Sequence, residues 1–241
     1  MLKPTHLLAF ALILGLTGCA HNLGERVSET PTLPQTWTAK EIVGWQPVRL
    51  PGKQVTEFVL QHHSSRLVVQ ANAQSSASML RRNLRIAPEK LGTLEFSWHV
   101  PALIAGADVG QRENDDSPAR LVLAFEGDRS TFSAKNAMLN ELSLALMGEP
   151  MPYATLMYIW CNKRPVGTVV HNPRTDRVRK LVVASGPNQL NQWLRFERDI
   201  RADFELAFGE APGALLGIGV MTDSDNTQSN AMAWYGDIAL R

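Results

Sequence analysis

Short runs in which apolar and polar residues alternate fill most of this chain, and no other feature restricts its fold as tightly. Along Thr93-Leu94-Glu95-Phe96-Ser97-Trp98-His99-Val100, the residues Leu94, Phe96, Trp98 and Val100 share one face, with Glu95, Ser97 and His99 opposite. That is the period-two signature of a half-buried strand. Comparable runs occupy 55–60, 66–70, 119–126, 153–161, 166–170, 177–184, 192–197, 215–222 and 232–240. Together they make about ten strands, divided by clusters of Gly, Pro, Asn and Asp. Strands this short and this numerous predict a mainly β fold, a sandwich or a barrel, and an antiparallel β-sandwich, jelly-roll-like, is the expectation taken forward.

Two short helices interrupt the pattern. Ser133 is placed to cap one that carries Met138, Leu142, Ala145 and Leu146 on one side and ends before Gly148. The other sets Ile200, Phe204 and Phe208 four residues apart and stops at Gly209. Each is expected to lay its apolar stripe across an open end or edge of the sandwich.

The N-terminus carries an address. An apolar segment at 7–16, of signal-peptide length and short for a membrane span, leads into Leu16-Thr17-Gly18-Cys19. This resembles the lipobox of bacterial lipoproteins, in which the thiol is acylated and the chain is cut just before it. The resemblance implies a signal peptide at 1–18, lipid attachment at Cys19 and a membrane partner through that anchor. An ordinary cleaved signal or an uncleaved anchor are the alternatives. Ala20 stands where an Asp would resemble an inner-membrane retention signal, so the expected location is the cell envelope, at the outer membrane facing the periplasm. Residues 19–41, polar and without apolar periodicity, read as a flexible tether. Residues 42–241 read as a single sandwich domain.

Charge is nearly balanced, with 24 basic and 23 acidic residues, so nothing draws the chain to nucleic acid. Besides Cys19 there is one cysteine, Cys161, at the end of an apolar run, which reads as a buried core thiol.

Several motifs form a recognisable set: Asn114-Asp115-Asp116-Ser117-Pro118-Ala119-Arg120, Asn172-Pro173-Arg174-Thr175, Phe208-Gly209-Glu210-Ala211-Pro212, and Met221 to Thr227 ahead of Trp234-Tyr235-Gly236-Asp237-Ile238. They resemble bacterial domain-of-unknown-function family 3047 over roughly 42–241. The resemblance implies no established activity. The closing strand is also similar to the last strand of carbohydrate-binding jelly rolls.

Two chemistries are open to the side chains. Asp115, Asp116, Asp223 and Asp225 place carboxylates in two loops, the oxygen chemistry of a hard ion, with calcium the candidate cofactor. The spacing is not that of an EF-hand, and the same residues also serve as turn caps. Arg120 offers a planar fork for a carboxylate, either internal or on a ligand. If Leu194 and Phe196 are core, then Trp193, Arg195 and Glu197 project from the outer face. Tyr235 and Asp237 stand in the same relation to Trp234 and Ile238. An exposed ring beside charged hydrogen-bonding groups suits a sugar, which makes Arg120, Trp193, Arg195, Glu197, Tyr235 and Asp237 the candidate ligand-binding residues.

No His-Glu-x-x-His, Gly-x-Ser-x-Gly or phosphate-loop motif occurs, and no catalytic residue is assigned. The expected function is a lipid-anchored, non-catalytic module that binds a glycan or another envelope component. The alternatives are an envelope polysaccharide hydrolase using the loop carboxylates, or a structural lipoprotein docked on a protein partner.

Overall fold

The computed structural model describes residues 30–241. The expected signal peptide, Cys19 and the first part of the expected tether lie outside the described residues. Strands β1 (Gln35–Trp37), β2 (Gln46–Arg49), β3 (Glu57–His63), β4 (Arg66–Gln74), β5 (Ala77–Ile86), β6 (Thr93–His99) and β7 (Ser117–Phe125) form the first half. Strands β8 (Ala154–Cys161), β9 (Val169–His171), β10 (Val178–Ser185), β11 (Trp193–Asp199), β12 (Leu215–Asp223), β13 (Asn230–Tyr235) and β14 (Ile238–Leu240) form the second. Helices α1 (Ala39–Ile42), α2 (Ala134–Met147) and α3 (Ile200–Phe208) connect them.

The strands make two sheets, ordered β1-β14-β6-β13-β4-β3 with β11 also on β6, and β2-β5-β12-β7-β8-β10-β9. This is the expected mainly β, jelly-roll-like sandwich. One ladder departs from the antiparallel expectation: β8 and β10 run parallel, joined by a crossover long enough to include β9. Three further strands, β1, β2 and β5, lie in stretches without the clean alternation used above. In β5, Arg81, Arg82 and Asn83 break the apolar rhythm, although Leu80, Leu84 and Ile86 are buried.

One large core fills the space between the sheets. Leu94, Phe96 and Trp98 of β6 face Leu121, Leu123 and Phe125 of β7 and Leu156, Tyr158 and Trp160 of β8. Phe96 stacks on Tyr158 across the gap at 5.5 Å between ring centroids. Burying each such side chain stabilises the fold by about 1.5–3 kcal/mol. Cys161 is buried, as expected.

The domain begins earlier than residue 42. Residues 35–41, expected in the tether, form β1 against β14 and the start of α1, and Trp37 and Ala39 are buried. The reason is a tertiary one. Trp37 packs edge-on against Trp45 at 5.9 Å, while Thr38 caps α1 in a reciprocal arrangement with Glu41.

The two predicted helices behave differently. Asp199 caps α3, and Ile200 and Phe204 are buried as expected. Ser133 caps α2 as expected, but the apolar stripe of α2 is turned outward: Met138, Leu142 and Leu146 are 63%, 50% and 58% exposed. Its polar side holds the helix down instead. Asn136 bridges Asp176 and Thr175, Asn140 accepts from the Met151 N–H, and Ser143 donates to the Glu149 carbonyl.

Candidate functional site

Alternation along β6, which buries Phe96 and Trp98, turns Glu95, Ser97 and His99 to the opposite face of the first sheet. Neighbouring strands add to that face in register. His99 lies between Trp234 of β13 and Trp193 of β11 on the ladders, and Arg195 and Glu197 stand opposite Ser97 and Glu95. His63, at the end of β3, stacks on Trp234 at 4.1 Å and meets His99 edge-on at 4.6 Å. Burial and the neighbouring His63 charge both hold the His99 imidazole below its ordinary pKa.

An open groove of about 730 Å³ continues from this ring cluster along the sheet, lined by Arg66, Glu95, Ser97, Trp193, Arg195, Asp237 and Arg241 among others. The Arg66 guanidinium lies over the Trp193 ring, 5.3 Å from its centroid. Glu95 accepts from Arg195 through one oxygen and from Arg241 through the other, and these two guanidiniums hold its carboxyl below the usual range. Asp237 accepts the Ala39 N–H at 2.9 Å, which pins α1 to the rim. Gly236 passes so close to the floor that a Cβ there would come within 2.4 Å of Ser97 Oγ.

Of the six candidate ligand-binding residues, three line this groove: Trp193, Arg195 and Asp237. Glu197 is exposed on the same face. The other two are not on the surface. Tyr235 points into the core, where its hydroxyl lies 2.5 Å from the Met221 carbonyl and 2.9 Å from Thr222 Oγ1 and accepts from the Arg120 N–H at 3.3 Å. Counting back from Ile238 by twos puts Trp234 inside, but the Gly236-Asp237 break between β13 and β14 shifts the phase. Trp234 therefore faces the ring cluster. Strand parity in β4 is the available signal for Arg66, and nothing local marks His63, Trp234 or Arg241.

Arg120 is the other buried one. Between Ala119 and Leu121, which enter the main core, it points from the far face of the second sheet into a network of charges. It donates through Nε to Asp223 at 2.7 Å, and its terminal nitrogen reaches the Asp115 carboxylate at 3.1 Å and the Asp115 carbonyl at 2.8 Å. Lys180, 0% exposed, donates to the other Asp115 oxygen and to the Val109 carbonyl. Burial and the adjacent Arg120 charge push the Lys180 ammonium down to about 8. Burial raises the Asp223 carboxyl to about 7; Arg120 opposes this, while the Asp116 and Asp115 charges add to it.

Three of the four expected metal ligands come together: oxygens of Asp116, Asp223 and Asp225 lie within 4.8 Å of one another. Such a trio can hold a cation, and its all-carboxylate chemistry suits hard ions in general without singling out calcium. Asp115 stands apart, its oxygens engaged by Arg120 and Lys180. The trio is also partly occupied from within. Asp116 accepts from the Asn226 and Thr227 N–H groups, from Asn226 Nδ2 and from Thr227 Oγ1, and Lys53 pairs with Asp225.

Two facing sheets around one core, with a ring- and arginine-lined groove on one outer face, define a jelly-roll-like β-sandwich. The chain belongs to the family described as "Protein of unknown function (DUF3047)", which matches residues 43–239. No curated protein matches significantly. Among solved structures, a low-affinity xylan-binding module from Roseburia intestinalis is 10% identical with a TM-score of 0.32, covering 87% of this chain and 96% of its own. The xyloglucanase domain of NopAA from Sinorhizobium fredii is 9% identical with a TM-score of 0.40, covering 87% and 98%. The glycoside hydrolase domain of Endo-D from Streptococcus pneumoniae R6 is 8% identical with a TM-score of 0.34, covering 81% of this chain and 21% of that one. Scores this low have no bearing on ligand or activity.

Proposed function

We propose that this protein is a lipid-anchored component of the bacterial envelope, held at the outer membrane through Cys19, whose sandwich binds a glycan or related envelope component without chemistry. One observation carries the binding reading: Trp193, Arg195 and Asp237 converge in an open groove with Arg66, Glu95 and Arg241. Ring surface beside several hydrogen-bonding groups is how a polyhydroxylated ligand is gripped. The anchor rests on Leu16-Thr17-Gly18-Cys19. A hydrolase that uses the loop carboxylates would need them accessible, and Asp115, Asp116 and Asp223 are buried in the charge network.

The outward apolar stripe of α2 favours a second reading, in which the protein docks on a partner protein through that helix.

Titrating the full-length protein, in detergent, with a panel of envelope oligosaccharides tests the first reading. Binding that falls at least about tenfold in Trp193→Ala supports it, and no binding across the panel overturns it. Labelling cells with a radioactive fatty acid is expected to mark the parent protein and not Cys19→Ser; a parent protein that takes up no label would remove the anchor.

A further inference from the structure

The side chains of the groove are rich in donors and poor in free acceptors. Each arginine carries five N–H donors and no acceptor, and three of them, Arg66, Arg195 and Arg241, line the groove. Three of the four oxygens of the carboxylates that line it, Glu95 and Asp237, are engaged within the protein. Both oxygens of Glu95 accept from Arg195 and Arg241, and Asp237 Oδ1 accepts from the Ala39 N–H. Glu197, opposite Glu95 on the ladder, adds its charge near Arg241, so that end is electrically compensated.

The other end is not. Arg66 lies over Trp193, and among the described residues its guanidinium meets no carboxylate. The indole holds the planar fork in place, which lowers the ordering cost of a two-pronged contact with a carboxylate. Beside it, Trp193 and the ring cluster of Trp234, His63 and His99 supply apolar surface. A neutral sugar offers hydroxyls that both donate and accept, and would leave this fork without its matching partner. A sugar that bears a carboxylate supplies it.

Resting on the groove reading above, we infer that the ligand is an acidic oligosaccharide, with a uronic-acid carboxylate held by Arg66 where its guanidinium lies over Trp193. Arg195 and Arg241, already oriented by Glu95, direct their remaining donors at the hydroxyls of the adjoining residues. The charged contact makes binding salt-sensitive, because the groove is open to solvent.

The test compares four probes on the full-length protein by titration calorimetry: an oligogalacturonide of four residues, the same oligosaccharide with its carboxylates reduced to alcohols, cellotetraose, and sodium sulfate alone. The acidic oligosaccharide is expected to bind about tenfold or more tighter than its reduced form. Arg66→Gln should bring the ratio of the two affinities down to about one, whatever it does to the affinity for the reduced form, and Arg66→Lys should restore only part of the ratio. Equal affinity for the acidic and reduced forms would overturn the inference and leave the groove reading standing. Failure of every oligosaccharide would overturn both. Sulfate binding as tight as that of the oligosaccharide, lost in Arg66→Gln, would show a bare anion site and overturn the sugar assignment.

Discussion

Arg120 donates through Nε to Oδ1 of Asp223 at 2.7 Å, joining the middle of β7 to the end of β12 in a buried pocket of charge. The Ser117 N–H donates to the same oxygen at 3.1 Å. Asp223 is thereby surrounded by one guanidinium, one amide and two further carboxylates. Burial and those carboxylates prevail, and its carboxyl titrates near 7.

Stability should therefore fall as pH rises toward neutrality through this group. An unfolded Asp titrates near 3.9, so between about 4 and 7 the folded state holds the extra proton, and its contribution is complete below 4 and lost as pH passes 7. Asp108 acts in the opposite sense. Burial works against its charge, yet Arg164, the Gly110 N–H and Lys163 bring it down to about 2. Its contribution is present above about 4 and lost as pH falls toward 2. Across a series of pH values from 4 to 8, urea unfolding should show the stability of the parent protein declining upward relative to that of Asp223→Asn. The same pH dependence in both would remove Asp223 as the cause.

Tyr235→Phe separates a core role from a ligand role. The change leaves the Arg120 N–H without its acceptor and deprives Met221 and Thr222 of the hydroxyl, at a cost of about 1–3 kcal/mol. Oligosaccharide affinity should not change. Lost affinity without lost stability would return Tyr235 to the binding surface.

The two helices should respond in opposite ways to core-type substitution. Leu142→Lys on the outer side of α2 is expected to shift stability by no more than about 0.5 kcal/mol. Phe204→Ala in α3, which empties space beside Phe125 and Phe208, should cost about 3–5 kcal/mol. A large loss in Leu142→Lys, measured by denaturant unfolding, would mean that the helix is covered within the monomer.

Lys53 competes with any cation for Asp225. Removing its ammonium in Lys53→Ala should let added calcium raise the melting temperature more than it does in the parent protein, because a ligand bound only by the folded state stabilises that state by mass action. The gain should vanish in Lys53→Ala combined with Asp225→Asn. Identical calcium responses in parent and single variant would show that the trio takes no ion in competition with Lys53.

Features that depend on near neighbours in the chain are legible in the order of the residues. The alternation of Leu94, Phe96 and Trp98 assigns both the β6 core face and the groove face carrying Glu95, Ser97 and His99. Ser133 marks a helix start through a contact three residues long, and the Trp193-Arg195-Glu197 face follows from Leu194 and Phe196. What covers a face is set by residues far away in the chain, and there local patterning misleads. The outward turn of α2 depends on Thr175, Asp176, Met151 and Glu149 holding its polar side. Tyr235 and Trp234 exchange faces relative to the expected alternation because a two-residue break between strands carries no periodicity. Lys180 and Arg120 look like surface residues until the Asp115 loop folds over them and its carboxylate offsets the cost of burying their charge. Sequence alone determined most of the strands, the Ser133 cap and half of the groove. Tertiary structure decided which charges are enclosed, where the domain begins and which groove arginine meets no carboxylate among the described residues, because burial and pairing arise only when distant segments meet.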